Sequence, residues 1–222
     1  MNVELLQYPK DDDWLLCKQV TLVTVGRKSS MTPSMQWRKK ILAARHSPIR
    51  TLNFCFLLTD IPYYVSTHLV RHVHATPFVK SQRNDRQSDY DRTKAPQDAP
   101  VNMAFYVNAE ELMVIANKRL CNKADPMTRE LVSMMCKKVE LYCPEFEGLL
   151  VPMCEYRGGL CNEFESCGRA DTKRATVTLI SHDGTVEISV SEGNYRKAKR
   201  ILLRQEDSNY ATLFYPDEGD DV

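Results

Sequence analysis

Residues 71–83 read Arg71-His72-Val73-His74-Ala75-Thr76-Pro77-Phe78-Val79-Lys80-Ser81-Gln82-Arg83, with Arg86 shortly beyond. The stretch follows an apolar segment and opens residues 74–107, which carry Pro77, Pro96 and Pro100 and sustain no obvious period. A loop of that length in a compact domain is usually functional or disordered. Arginines beside a serine hydroxyl on such a loop suit an anionic ligand, because a guanidinium fork matches phosphate oxygens in bidentate geometry. A solvated basic loop is the plainer alternative. Nucleic acid is a poorer fit: residues 71–94 hold six Lys and Arg but also three Asp, with no aromatic interleaving for base stacking.

Upstream, Val3 to Tyr8 has the look of a short strand. Leu15 to Val25 is ambiguous, since Thr21 to Val25 is β-branched while Asp11 to Asp13 resembles a helix start. Ser34 to Arg45 predicts a helix with a capping serine and Met35, Ile41 and Leu42 on one side. Leu52 to Leu58 is an apolar run of strand length, expected to be buried on both faces. Pro62 to Val73 predicts a helix that starts at its proline.

Downstream, Asn108 opens a helix to about Leu120, with Leu112, Ile115 and Ala116 at helical spacing. That spacing puts Arg119 on the apolar side, where it needs a carboxylate partner or an anionic ligand. Asp125-Pro126 is a cap followed by a first-turn proline, starting a helix to about Cys143. Phe146 to Met153 predicts a further short helix. After Gly168 the character changes. Thr176–Ile180 and Thr185–Ser189 flank His182-Asp183-Gly184 as a β-hairpin, and Asn194 to Arg204 predicts a helix before the acidic end at Asp217 to Asp221. The fold class is α+β, with a core over residues 1–168 and an extension over residues 169–222.

The chain has 222 residues and a net charge of +1, so no global field recruits nucleic acid or an anionic membrane. Its 43% hydrophobic and 27% charged residues are ordinary for a globular protein. No apolar run reaches the roughly 18 residues of a spanning helix. Met1-Asn2-Val3-Glu4 does not read as a secretory leader, so a cytoplasmic protein is expected. Only eight glycines occur and none forms a phosphate-cradling loop, which disfavours a doubly wound dinucleotide-binding fold. There are eight cysteines and no Cys-x-x-Cys pair. Cys143, Cys154, Cys161 and Cys167 could offer zinc four thiolates, though without the usual knuckle spacing.

The arrangement resembles the flavin-dependent thymidylate synthases. Their hallmark is Arg-His-Arg, seven residues, then Ser; here Arg71-His72-Val73 is followed by seven residues and Ser81. His46 stands at the matching distance, and Ile61 to Val65 resembles the family's lead-in helix. Asn108-Ala109 is similar to its Asn-Ala-Arg, Asn117-Lys118-Arg119-Leu120 to its Leu-Arg, and Cys143-Pro144, Phe146-Glu147 and Tyr156-Arg157-Gly158 to its closing helix. The likeness spans roughly residues 1–160.

The resemblance implies helices on a small antiparallel sheet and a homotetramer. It implies an enzyme that methylates C5 of dUMP or a related uridylate with methylenetetrahydrofolate, NADPH and FAD. Arg71, Ser81, Gln82, Arg83 and His68 would hold the nucleotide, and Arg119 would polarise the pyrimidine. His46, His72 and Asn108 would lie along the flavin. The departures fall mainly on the flavin side: Val73 for arginine, Glu110 for arginine, Val114 for a polar residue, Lys123 for histidine. On the nucleotide side His68 replaces glutamine and Val79 replaces glutamate. One alternative is therefore a nucleotide-binding homologue that has lost flavin and catalysis. Another is a cysteine-rich zinc-binding structural protein.

Overall fold

The computed structural model describes residues 1–83, 85, 91, 93–157, 161 and 163–169, together with the strands 174–181, 184–191, 200–204 and 210–214. The chain divides into two units, one of Met1–Leu120 and Ala124–Leu150, the other of Cys121–Lys123 and Val151–Val222.

The first unit is built on a four-stranded antiparallel sheet in the order β1-β2-β4-β3, with β1 at Asn2–Gln7, β2 at Asn53–Pro62, β3 at Ala75–Val79 and β4 at Pro100–Asn108. Strand β2 alternates as a one-faced strand does: Phe54, Phe56, Leu58 and Ile61 are buried, while Asn53, Cys55 and Leu57 are only half-covered. The expectation of burial on both faces is thus corrected. A second correction concerns residues 74–107, which contain β3 and β4 rather than one long loop. Val101, Met103, Phe105 and Val107 repeat every second residue and all face the core, a period obscured by the polar and proline-bearing flanks. Register is pinned by Phe56 opposite Phe105 and Phe105 opposite Pro77.

Helices α1 (Asp11–Val23), α2 (Met35–Ala43), α3 (Tyr63–Leu69), α4 (Ala109–Arg119) and α5 (Pro126–Tyr142) complete the unit. The ambiguity at residues 15–25 resolves to helix, because Asp11 to Asp13 fill the first turn of α1 and Trp14 and Cys17 are buried. Ser34 caps α2 by accepting from the Trp37 amide, as its sequence implied. Helix α3 is shorter than expected. It ends at Leu69, where His72 turns the chain by accepting from the Ala75 amide at 3.0 Å and so launches β3. Helices α3 and α4 pack on the sheet, α4 and α5 on each other, and α5 on β1. Residues 146–153 are not a helix: a 3-10 turn at Pro144–Phe146 precedes irregular chain, with Gly148 at φ +70° breaking the helical path.

In the second unit, α6 spans Met153–Tyr156 and a second antiparallel sheet has the order β6-β5-β8-β7. Strands β5 (Arg174–Ser181) and β6 (Gly184–Ser191) pair with Ser181 opposite Gly184. His182 and Asp183 themselves lie outside the described residues. Helix Asn194–Arg204 is corrected at its C-terminal part, since Arg200–Arg204 is strand β7, paired with β8 at Tyr210–Phe214. A three-residue apolar run carries no helical period, and pairing with a partner strand satisfies its backbone. Residues 194–199 and the acidic end fall outside the described residues. Among the described residues no helix is long and apolar enough to cross a membrane.

Candidate functional site

The hallmark stretch folds into two separate constellations. The first lies where α3 ends against α4. His72 is buried at 7% exposure, and its Nδ1 sits 2.9 Å from Oε1 of Glu111, itself only 7% exposed. A carboxylate only accepts, so Nδ1 carries the proton and donates. That leaves Nε2 to accept from the Arg119 Nε–H at 3.3 Å. Arg119 also donates through Nη2 to the His68 carbonyl at 2.9 Å. Burial pulls the His72 pKa below its ordinary value; the Glu111 hydrogen bond opposes this and the Arg119 charge reinforces it. The result is a neutral imidazole bridging a buried carboxylate and a guanidinium. Burial, then the nearby charge of Arg71, also lower the Arg119 pKa, although an arginine stays cationic.

His68 extends the constellation toward α5. Its Nδ1 meets Thr128 Oγ1 at 2.7 Å, and Thr128 in turn bonds Asp125, the cap of α5. Arg119 is therefore answered by neutral acceptors and by Glu111 through His72. Glu111 and Thr128 are contributors that residue spacing alone did not single out, and Asp125 reads in the sequence only as a cap. The available signal was Glu111 beside the capping Asn108, a buried acid in a first turn.

The second constellation is a cleft of ≈ 270 Å³ between α3 and the chain after β3. Tyr63, Ser66 and Thr67 line one side, and Lys80, Gln82 and Arg83 the other. Val79, at the position of the family's glutamate, also lines it. Ser81 accepts from the Arg83 amide at 3.3 Å. Arg83 holds Asp85 through Nε and Nη2 at 2.9 and 2.7 Å, in an exposed pair. Gln82 and Arg83 are thus brought together, whereas His68, His72 and Arg119 do not line this cleft.

The residues assigned by resemblance to the flavin are dispersed and mostly engaged. Asn108 caps α4, its Oδ1 accepting from the Glu111 amide at 2.9 Å. His46 is exposed, at the start of the 3-10 turn Ser47–Thr51. Val73 is 83% exposed. Glu110 is paired with Arg50, so it is not a bare negative charge. Lys123 pairs with Glu165 at 3.2 Å. Arg71 is exposed and makes no ion pair among the described residues.

Of the four candidate zinc thiols, Cys143 belongs to the hydrophobic core, and burial followed by the charge of Glu145 pushes its pKa up to about 12. A thiol held neutral is a poor metal ligand. Cys154 is also raised, first by burial, while Cys161 and Cys167 are half-buried. Among the described residues no three metal-binding side chains group together.

No protein-family model matches the chain, and no curated protein matches it. Solved structures do. Thymidylate synthase X from Helicobacter pylori, crystallised with FAD and dUMP, superposes at a TM-score of 0.55 with 16% identity, covering 68% of this chain and 99% of that one. The chain shares the thymidylate synthase X fold. A second structure of the H. pylori flavin-dependent thymidylate synthase, also with FAD and dUMP, gives a TM-score of 0.51 at 15% identity over 64% of this chain and 97% of that one. At these identities the likeness to thymidylate synthase X carries the fold and not the chemistry.

Proposed function

We propose that the protein binds a pyrimidine nucleotide, dUMP or a related uridylate, through the cleft between α3 and the chain after β3. The observation that carries this reading is the cleft itself, which on a shared fold sets Lys80, Gln82 and Arg83 opposite Tyr63, Ser66 and Thr67 of α3. The Ser66 and Thr67 hydroxyls donate to the Tyr63 and Tyr64 carbonyls, so Lys80, Gln82 and Arg83 supply the donors for an anion. Lys80 supplies a point charge and Arg83 a planar fork for a phosphate, with Asp85 holding the fork until a stronger anion replaces it. Pockets for whole ligands begin near about 300 Å³, so the cleft suits the phosphorylated sugar and leaves the base at its mouth. Glu111, His72 and Arg119 act by fastening α3, and with it Ser66 and Thr67, to α4.

The thymidylate synthase-like reaction would be methylation of the uridylate at C5, with methylenetetrahydrofolate and NADPH as co-substrates and FAD as cofactor. For the flavin, the side chains of this chain do not fit. His72 has both ring nitrogens engaged, Asn108 spends its carbonyl on a cap, and Glu110 is tied to Arg50. The reading is therefore a uridylate-binding protein that has lost the flavin contacts. The second reading, an active flavin enzyme completed by other subunits of a homotetramer, is favoured by one observation: Arg71, Val73 and His46 all lie exposed at the surface.

Thermal denaturation with dUMP and with UMP tests the first reading. A melting temperature that climbs with either nucleotide is expected, because ligand linkage stabilises the folded state. Flat titrations with both would overturn it. The absorption spectrum of the purified protein separates the two readings, since a visible flavin band supports the second.

A further inference from the structure

A second cleft in the first unit, of ≈ 480 Å³, lies well along the chain from the nucleotide residues. Tyr8, Lys10, Asp11, Arg38, Tyr142 and Glu145 are among its lining, drawn from the end of β1, the start of α1, α2 and the end of α5. Glu145 is the anomaly. It is 3% exposed, yet its carboxylate makes no hydrogen bond or ion pair among the described residues. Its oxygens are not among the fully enclosed polar atoms lacking a partner, so what little of Glu145 is exposed faces the cleft, and an almost buried carboxylate at a cleft wall favours a cation there.

Neither neighbouring cation pairs with Glu145. Arg38 donates to Asp11 Oδ1 and lies over the Trp14 ring, 5.1 Å from its centroid. The Lys10 ammonium sits 3.2 Å from the centroid of the Tyr8 ring. Glu145 itself is held rigidly. Its 3-10 turn is closed by the Phe146 amide on the Cys143 carbonyl at 3.0 Å, and fully buried Phe146 packs edge-on against Phe54 at 5.4 Å. The cleft wall is aromatic, with Tyr8 and Tyr142 rings 5.1 Å apart. Ring faces attract organic cations. A metal ion is a worse match: it would need several carboxylates held together, and although Asp12 also lines the cleft unpaired, no three metal-binding side chains group together among the described residues.

We infer that this cleft binds a small ligand through a primary ammonium group, with Glu145 as counter-ion and Tyr8 and Tyr142 as aromatic walls. Two sources share that chemistry, an aliphatic diamine and an α-amino acid. They differ at Lys10, whose ammonium makes no ion pair among the described residues and could take up the carboxylate of an amino acid.

Isothermal titration calorimetry of the full chain with putrescine, and separately with glycine, tests the inference. Saturable binding of at least one is expected, weakened about tenfold or more in Glu145→Gln, which keeps shape and removes charge. Tyr142→Ala, at a half-exposed helix end, should weaken the same ligand about threefold. Glycine binding that is lost in Lys10→Met identifies the amino acid, and putrescine binding that survives Lys10→Met identifies the diamine. No saturable heat with either ligand overturns the inference, as does undiminished affinity in Glu145→Gln. Should Glu145→Gln not fold, undiminished affinity in Tyr142→Ala overturns it instead. The dUMP-dependent melting shift is expected to persist in Glu145→Gln, so failure of this site and failure of the nucleotide site are separately visible.

Discussion

At the scale of residues, the imidazole of His72 is a neutral bridge whose charge state is set by burial. Its folded pKa lies below the ordinary value of 6.5, while in the unfolded chain it returns there. As pH falls below 6.5 the unfolded chain takes up a proton that folded His72 refuses, so this residue subtracts stability on acidification and nothing at neutral pH. His72→Gln offers an amide that can donate to Glu111 and accept from Arg119. Melting curves from about pH 7.5 to about pH 5.5 should therefore fall less steeply for His72→Gln than for wild type. A second residue-scale expectation concerns Arg119→Lys, which loses the fork that reaches both His72 and the His68 carbonyl. Stability should drop by about 1–3 kcal/mol, with dUMP affinity of the folded fraction unchanged. If binding or turnover collapses while the melting temperature holds, Arg119 acts on the ligand directly and its positioning role is wrong.

At the scale of elements, caps do more than end helices. Asp125 accepts from both the amide and the hydroxyl of Thr128, at 2.9 and 3.0 Å, and that hydroxyl also meets His68. Asp125→Ala should cost about 1–2 kcal/mol in chemical denaturation, more than an isolated cap, because it frees the α5 terminus and loosens α3 together. Thr128→Ser, which keeps the hydroxyl, should recover most of the stability that Thr128→Ala loses. The caps at Ser34, Asn108 and Asp125 were legible because a side-chain oxygen before an apolar period has a purely local reason to sit there. Strands β3 and β4 were not, because their short alternating runs make sense only beside β2.

At the scale of the whole molecule, the sheet order decides which parts of the hallmark stretch meet. Strand β3 pairs with β4 and carries Lys80 to Arg83 past one face of α3, from Tyr63 to Thr67, while His72 stays with α4. Arg83→Ala should therefore weaken uridylate binding, about tenfold in a thermal-shift titration, with little change in the stability of the free protein. The cysteines bear on the same scale. Elemental analysis should find no stoichiometric zinc, and Cys161→Ser should melt with the wild type; loss of both metal and stability in that variant would restore the zinc reading.

Local and global causes divide this protein along a clear line. The helix starts at Ser34, Asn108 and Asp125 and the β1 and β2 strands follow from spacing, capping oxygens and β-branched runs. Those signals act over a few residues and need no partner. What needed the folded chain was every contact between distant segments: Glu111 on His72, Arg50 on Glu110, Glu145 left alone beside two tyrosines. Glu110 shows the difference most directly. Read alone, it is a negative charge where the family that the sequence resembles carries an arginine. Folded, it sits within reach of Arg50, sixty residues away in sequence, because the 3-10 turn after His46 packs against α4. The charge of a side chain is written in the sequence, and the field it meets is decided only by tertiary packing.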